Sequence, residues 1–227
     1  MKLNNSTLHH AIIDTFLKRG WAPSVAELAE RFGVDRSGVS SALQQLQEYH
    51  GVVLHPGTDE VWVTHPFSNA PTSCLVRTPK MQWWGNCAWC SLGLAILAGG
   101  TAEIVTTLGT SMRQVTIRIE NGKVLDKDLF IHFPIPMARA WDNVTFTCSM
   151  MLLFESEADV DVWCATHGKS KGDVRPIEQV LNFASDWYGN HSDQNWVKWT
   201  GEEAAQIFTR HGLSGPIWDL GNAKDRF

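Results

Sequence analysis

Apolar residues recur along the first third of the chain at helical spacing. In LHHAIIDTFLKRG they fall at positions 8, 12, 13, 16 and 17, and Gly20 closes the segment. Ser24 stands where it would cap a short second helix, VAELAERF, which Gly33 ends. Asp35 or Ser37 would cap a third, running through VSSALQQLQEYH to a stop at Gly51. VVLHPG and EVWVTHP then alternate apolar and polar positions around a glycine-containing turn, as a hairpin does. Three helices and a hairpin predict a winged helix-turn-helix arrangement over residues 1–66.

The pattern changes after Pro66. The small polar residues of FSNAPTS, between Pro66 and Pro71, read as a linker. Beyond it SCLVRTP, EIVTTL, RQVTIRIE and KVLD read as strands, with a tight turn at Asn121-Gly122 between the last two. AWCSLGLAILAG is apolar on nearly all faces and predicts a buried helix. DLFIHFPIP ends in prolines and reads as irregular, whereas VTFTCSMMLLFES reads as a long apolar strand. Three helices follow: EADVDVWCATHG, with Ser156 and Asp159 as a capping box, then IEQVLNFASDWYG and GEEAAQIFTRHG. Strands and helices in mixed order predict an α+β fold, with residues 67–227 forming a second, mixed helix/sheet domain.

Composition narrows the function classes. Hydrophobic residues make up 44% and charged residues 19%, which fits a water-soluble core-forming chain. The net charge of -5, with five Lys or Arg against seven Asp or Glu in residues 1–66, argues against DNA as a partner despite the helix-turn-helix pattern. No stretch reaches the 18 apolar residues of a membrane span, and no signal peptide is visible, so the expected setting is the cytoplasm. There the five cysteines stay reduced, as packing groups or as working thiols.

The candidate chemistry lies in WWGNCAWC, where Cys87 and Cys90 are three positions apart at the start of a helix. A dithiol redox pair would follow the strand of a βαβ unit, which the pattern lacks, and a zinc knuckle would need a second pair nearby. A third reading joins this segment to a distant partner. Cys148 lies where the polar Thr147 and Ser149 interrupt an apolar run, and three thiols meeting in an apolar pocket would suit a soft metal. The amide groups at the helix start would favour a thiolate there. Cys74 and Cys164 read as core residues, and the histidines (His65, His132, His167, His191 and His211 among them) show no metal-site spacing.

WWGNCAWCSL, taken with DNVTFTCSMMLLFESEADVDVWC, resembles the alkylmercury (organomercurial) lyase family. The resemblance continues through DWYGN, NWVKWT and HGLSGPIWDL and covers most of residues 67–227; a winged-helix-like N-terminal domain is also usual in that family. It implies cleavage of the carbon–mercury bond of R–Hg⁺ to R–H and Hg²⁺ by two cysteines and an aspartate, without an organic cofactor, in a monomer or homodimer. The two cysteines fall on Cys87 and Cys148. The aspartate falls on Cys90, so a thiol stands where a proton-handling carboxyl is expected. Catalytic Cys87, Cys148 and Cys90 are thus also the expected ligands of a soft metal, with Hg²⁺ as product or ligand. The expected partners are a small organometallic substrate, small-molecule thiols and a mercuric-ion acceptor protein. The alternative is a non-catalytic protein that binds or senses Hg, Cu or Zn through the same cysteines. The missing carboxylate predicts slow cleavage or poor product release.

Overall fold

The computed structural model describes residues 3–109, 111, 113–221 and 227. Its N-terminal part holds α1 (Asn5–Arg19), α2 (Val25–Phe32) and α3 (Arg36–Glu48). Ser24 and Glu27 form a reciprocal capping box on α2, and the Asp35 side chain accepts from the Gly38 amide at the head of α3. Each cap satisfies amide groups that the first turn leaves without helical partners. The strands β1 (Val53–Leu54) and β2 (Val61–Thr64) pair antiparallel, and β2 continues sideways onto β3 (Phe67–Ser68).

That last pairing corrects the linker reading. Phe67 is fully buried and β3 is hydrogen-bonded on both edges, so the stretch after Pro66 belongs to a sheet. Small polar residues at 68–71 disguised a strand too short for alternation to register. β4 (Cys74–Arg77) and β5 (Gln82–Gly85) follow, then α4 (Ala88–Leu97), β6 (Ala102–Thr107), β7 (Gln114–Glu120) and β8 (Lys123–Val124). They complete an eight-stranded antiparallel sheet in the order β1-β2-β3-β5-β4-β6-β7-β8. Asn121 and Gly122 both have positive φ in the β7–β8 turn, as the two-residue hairpin requires.

β9 (Phe130–Phe133) lies in DLFIHFPIP, and only the prolines after it are irregular. A 3-10 segment, Met137–Asn143, leads into α5 (Val144–Ser149), β10 (Leu153–Phe154), α6 (Glu157–His167), β11 (Asp173–Pro176), α7 (Ile177–Tyr188) and α8 (Gly201–Arg210). β9 is the centre of a second antiparallel sheet, β10-β9-β11. Cys148 therefore sits on a helix rather than the expected strand. Asn143 accepts from the Phe146 amide at 3.0 Å, and the Thr147 hydroxyl donates to the Ala140 carbonyl at 3.0 Å. These local bonds hold a β-branched sequence in a helical turn, against its strand propensity.

α4 is the organising element. It packs between the large sheet and α7, and all its residues from Ala88 to Ala95 are buried. Gly93 permits that approach: a Cβ there would stand 2.0 Å from the Tyr188 ring. The ring of α7 can therefore lie directly over the first turns of α4. The N-terminal helices join the same core, and Trp83 Nε1 donates to the Phe16 carbonyl at 2.6 Å to tie β5 to α1.

Candidate metal and catalytic centre

Cys87 is the N-cap of α4, in extended conformation, and its sulfur accepts the Cys90 amide at 3.3 Å. β5 precedes it, but the strand pairs antiparallel with β4 and β3, so no βαβ redox unit is present. The helical rise brings Cys90 Sγ to 3.1 Å from Cys87 Sγ, where the Cys87 thiol donates to it. Cys148, carried in from α5, lies with its Sγ 3.4 Å from His65 Nε2. The donor atoms of His65, Cys90 and Cys148 all fall within 4.8 Å of one another. The thioether of Met151 is 3.8 Å from Cys87 Sγ. All five cysteines are free thiols.

Two contributors escaped the sequence reading. His65 arrives at the end of β2, and the Asn86 side-chain amide donates to its Nε2 at 3.0 Å. Tyr188, at the end of α7, brings its hydroxyl to 3.4 Å from Cys90 Sγ. One signal for Tyr188 was present: it is one of only two tyrosines, and it sits in the DWYGN segment of the resemblance. His65 carried none, because its partners are distant in sequence. Cys74 and Cys164 stay out of the cluster. The first packs against the Thr106 hydroxyl at 3.3 Å, and the second lies 3.7 Å from the Ser170 carbonyl.

A cavity of about 50 Å³ opens onto this cluster. Cys90, Cys148 and His65 face it, with Trp141, Trp187 and Met151 among the apolar walls. Cys87 is not in the lining, and its sulfur is 3.1 Å from that of Cys90. Among the described residues no Asp or Glu lines the cavity. The Lys198 ammonium is on its wall, 3.8 Å over the Trp141 ring and donating to the His50 carbonyl at 3.0 Å. Burial, then the Lys198 charge, pushes His191 down to about 3, and burial lowers His9 well below the ordinary range. These imidazoles are neutral at physiological pH.

The three thiols share one easily lost proton. Burial alone would raise Cys90, but hydrogen bonds from Cys148, Cys87 and the Tyr188 hydroxyl outweigh it and hold Cys90 well below its ordinary value. Burial, and then the bonds with Cys148 and Cys90, pushes Cys87 well above its own. A bond with Cys87 would lower Cys148, yet the bond to Cys90 and burial prevail and raise it. Among the three thiols the one held low is Cys90, which collects the donors, rather than the N-cap sulfur that the helix start would favour. Burial lowers His65 despite the neighbouring Cys90 charge, leaving its imidazole neutral.

The α+β fold thus sets a buried cluster of thiols and an imidazole, a donor set able to coordinate a soft metal, beside an apolar cavity. The alkylmercury lyase (MerB) family matches residues 67–189, more than half of the chain, and the chain belongs to that family. Cys87, Cys90, Cys148 and Tyr188 lie within the matched segment, whereas His65 precedes it. The fold is similar to a crystal structure described as the mercury-bound form of MerB2, with a TM-score of 0.65 and 18% identity over 85% of this chain and 93% of that one. Comparison with curated proteins gives no match. Among the described residues no helix is long and apolar enough to cross a membrane.

Proposed function

We propose that this chain cleaves the carbon–mercury bond of small organomercurials by protonolysis. The observation that carries the reading is the convergence of three buried thiols, one held low and two raised, with Cys90 and Cys148 on an apolar cavity that no Asp or Glu lines among the described residues. Mercury is soft, and sulfur ligands suit it. The Cys90 thiolate faces the cavity and takes R–Hg⁺ to give Cys90–S–Hg–R. Sulfur from Cys148 then joins the mercury while the C–Hg bond breaks, and its electron pair takes a thiol proton. The balance is Cys90–S–Hg–R plus Cys148–SH giving R–H plus Cys90–S–Hg–S–Cys148, with no oxidant or reductant. Cys87, beside Cys90 and still protonated, is placed to pass that proton and recover the one from Cys148.

Carrying the family roles over position by position pairs Cys87 with Cys148 on mercury and leaves Cys90 with the proton. The cavity lining and the direction of the thiol pKa values favour exchanging Cys87 and Cys90 in those roles. Either assignment uses the same three residues and the same products. The small cavity favours short alkyl groups, which leave as hydrocarbon after small-molecule thiols have delivered the mercurial.

A second reading is stoichiometric retention of the metal without turnover. It is favoured by the convergence of His65, Cys90 and Cys148, which offers Hg²⁺ a third ligand after cleavage. Reduced protein incubated with methylmercury, with and without excess small thiol, tests both. Continuous methane release supports the enzyme, one equivalent per chain supports cleavage followed by trapping, and none with tight mercury binding supports retention alone.

A further inference from the structure

We propose that the floor of the cavity is also a binding site for a divalent ion of the zinc type, held by His65 Nε2, Cys90 Sγ and Cys148 Sγ. The imidazole makes the difference. A site meant only for linear mercury needs two sulfurs, and a third thiol already stands beside them in Cys87. Here a nitrogen donor comes instead from the end of β2, outside the segment that carries the family match.

The geometry fits tetrahedral coordination. Zinc bonds of about 2.3 Å to sulfur and about 2.05 Å to nitrogen give a tetrahedral S···N edge of about 3.6 Å. Cys148 Sγ and His65 Nε2 are 3.4 Å apart. The third donor, Cys90 Sγ, is within 4.8 Å of both, so small side-chain rotations bring all three to one centre. The Asn86 amide donates to the same nitrogen at 3.0 Å, so Nε2 is the ring nitrogen with a lone pair to offer a metal. The metal would take that amide's place. Two thiolates and a neutral imidazole form a three-ligand set with one open position, an arrangement zinc adopts where it meets exogenous ligands. Cys87 Sγ, 3.1 Å from Cys90 Sγ, adjoins this donor set.

Binding needs no redox step. The entering M²⁺ displaces the thiol protons of Cys90 and Cys148 to solvent and forms two metal–sulfur bonds and one metal–nitrogen bond. Zinc and an organomercurial would share Cys90 and Cys148, so each excludes the other. The inference needs only the donor set and stands whether or not the chain cleaves carbon–mercury bonds.

The test is a titration of the fully reduced, metal-free protein with Co²⁺ in oxygen-free buffer. One equivalent should give sulfur-to-cobalt charge-transfer absorption and the intense visible bands of tetrahedral Co²⁺, both bleached by one equivalent of Zn²⁺. His65→Ala should weaken binding by more than the about 10–100-fold that loss of an outer-shell partner costs. His65→Cys should restore the tetrahedral bands with stronger charge transfer, a rescue that a purely structural histidine would not give. Absence of tetrahedral bands in the wild-type protein, or wild-type affinity in a folded His65→Ala variant, overturns the proposal. X-ray absorption of the zinc-loaded wild-type protein provides a measurement free of variants: a mixed nitrogen and sulfur shell supports the site, and an all-sulfur shell overturns it. Methane release is scored separately, so failure of the zinc site and failure of the lyase reading are distinguishable.

Discussion

Among the described residues, two places bring a cysteine sulfur near a histidine nitrogen. At the cavity floor Cys148 meets His65 at 3.4 Å; on the buried face of α6, Cys164 lies 3.9 Å from His132. The residue types are the same and the surroundings differ. Cys164 belongs to a small apolar cluster with Phe154, Val160 and Trp163, and its histidine is already engaged by the Lys171 carbonyl. No second thiol enters the hydrogen bonds of Cys164, which is raised by burial. Cys148 instead belongs to a cluster beside a cavity, in which Cys90 meets Cys87 and the Tyr188 hydroxyl, and Cys87 meets the Met151 thioether. Convergence of separate elements, rather than the cysteine–histidine pair, distinguishes a reactive site from packing.

Substitution of the thiols breaks the comparison most strongly. Cys148→Ser should abolish methane release, because the second sulfur–mercury bond is lost. Cys87→Ser should slow single-turnover cleavage by roughly 10²–10⁴-fold, the range for removing a proton-transfer group, while methylmercury still binds. Cys164→Ser should leave cleavage rates unchanged within about 2-fold, since the nearest role available to it is packing. Equal losses at Cys148 and Cys164 would erase the distinction drawn between the two places.

Cys90→Asp sharpens the assignment inside the cluster. If Cys90 holds mercury, as the cavity lining favours, the carboxylate should cut mercury affinity and turnover together. If Cys90 only relays the proton, the same change should raise turnover, because a carboxyl near its reference pKa of ~4 exchanges protons readily. Steady-state methane release and equilibrium mercury binding, measured side by side, separate the two outcomes.

Smaller effects follow from the helix that supports the site. Gly93→Ala forces a methyl group into the Tyr188 ring and should cost about 1–3 kcal/mol of stability by overpacking, read by denaturant unfolding. Tyr188→Phe removes one donor from the Cys90 sulfur. That donor lowers the Cys90 pKa, so its loss should move the thiolate titration upward, by up to about one pH unit for a net hydrogen bond of about 0.5–1.5 kcal/mol. Thiolate absorbance in the ultraviolet, followed against pH in both proteins, reads the shift; a downward movement would contradict the role given to Tyr188.

What the sequence revealed follows the range of the interactions involved. Local chemistry was legible: Ser24 with Glu27, Asp35 and Ser156 cap the helices where their spacing indicates, and the alternating EIVTTL and RQVTIRIE segments pair as β6 and β7. Cys87 and Cys90 share the first turn of a buried helix, as their three-residue spacing predicts. Competition between local signals misled the reading at Cys148, where the Asn143 cap prevails over a β-branched sequence. Long-range convergence was invisible: nothing local marks His65 as the histidine that meets Cys148, or Tyr188 as the hydroxyl that Gly93 admits beside Cys90. The resemblance carried in WWGNCAWCSL located the thiols through family ancestry, but not the imidazole that precedes the matched segment.

The most direct measurement is single-turnover cleavage of methylmercury by the fully reduced wild-type protein, with methane and inorganic mercury quantified against active chains. A three-thiol centre acting by protonolysis predicts methane and protein-bound Hg²⁺ in equal amounts, and neither from the Cys148→Ser variant. Methylmercury recovered intact from a protein that has bound it would contradict the account.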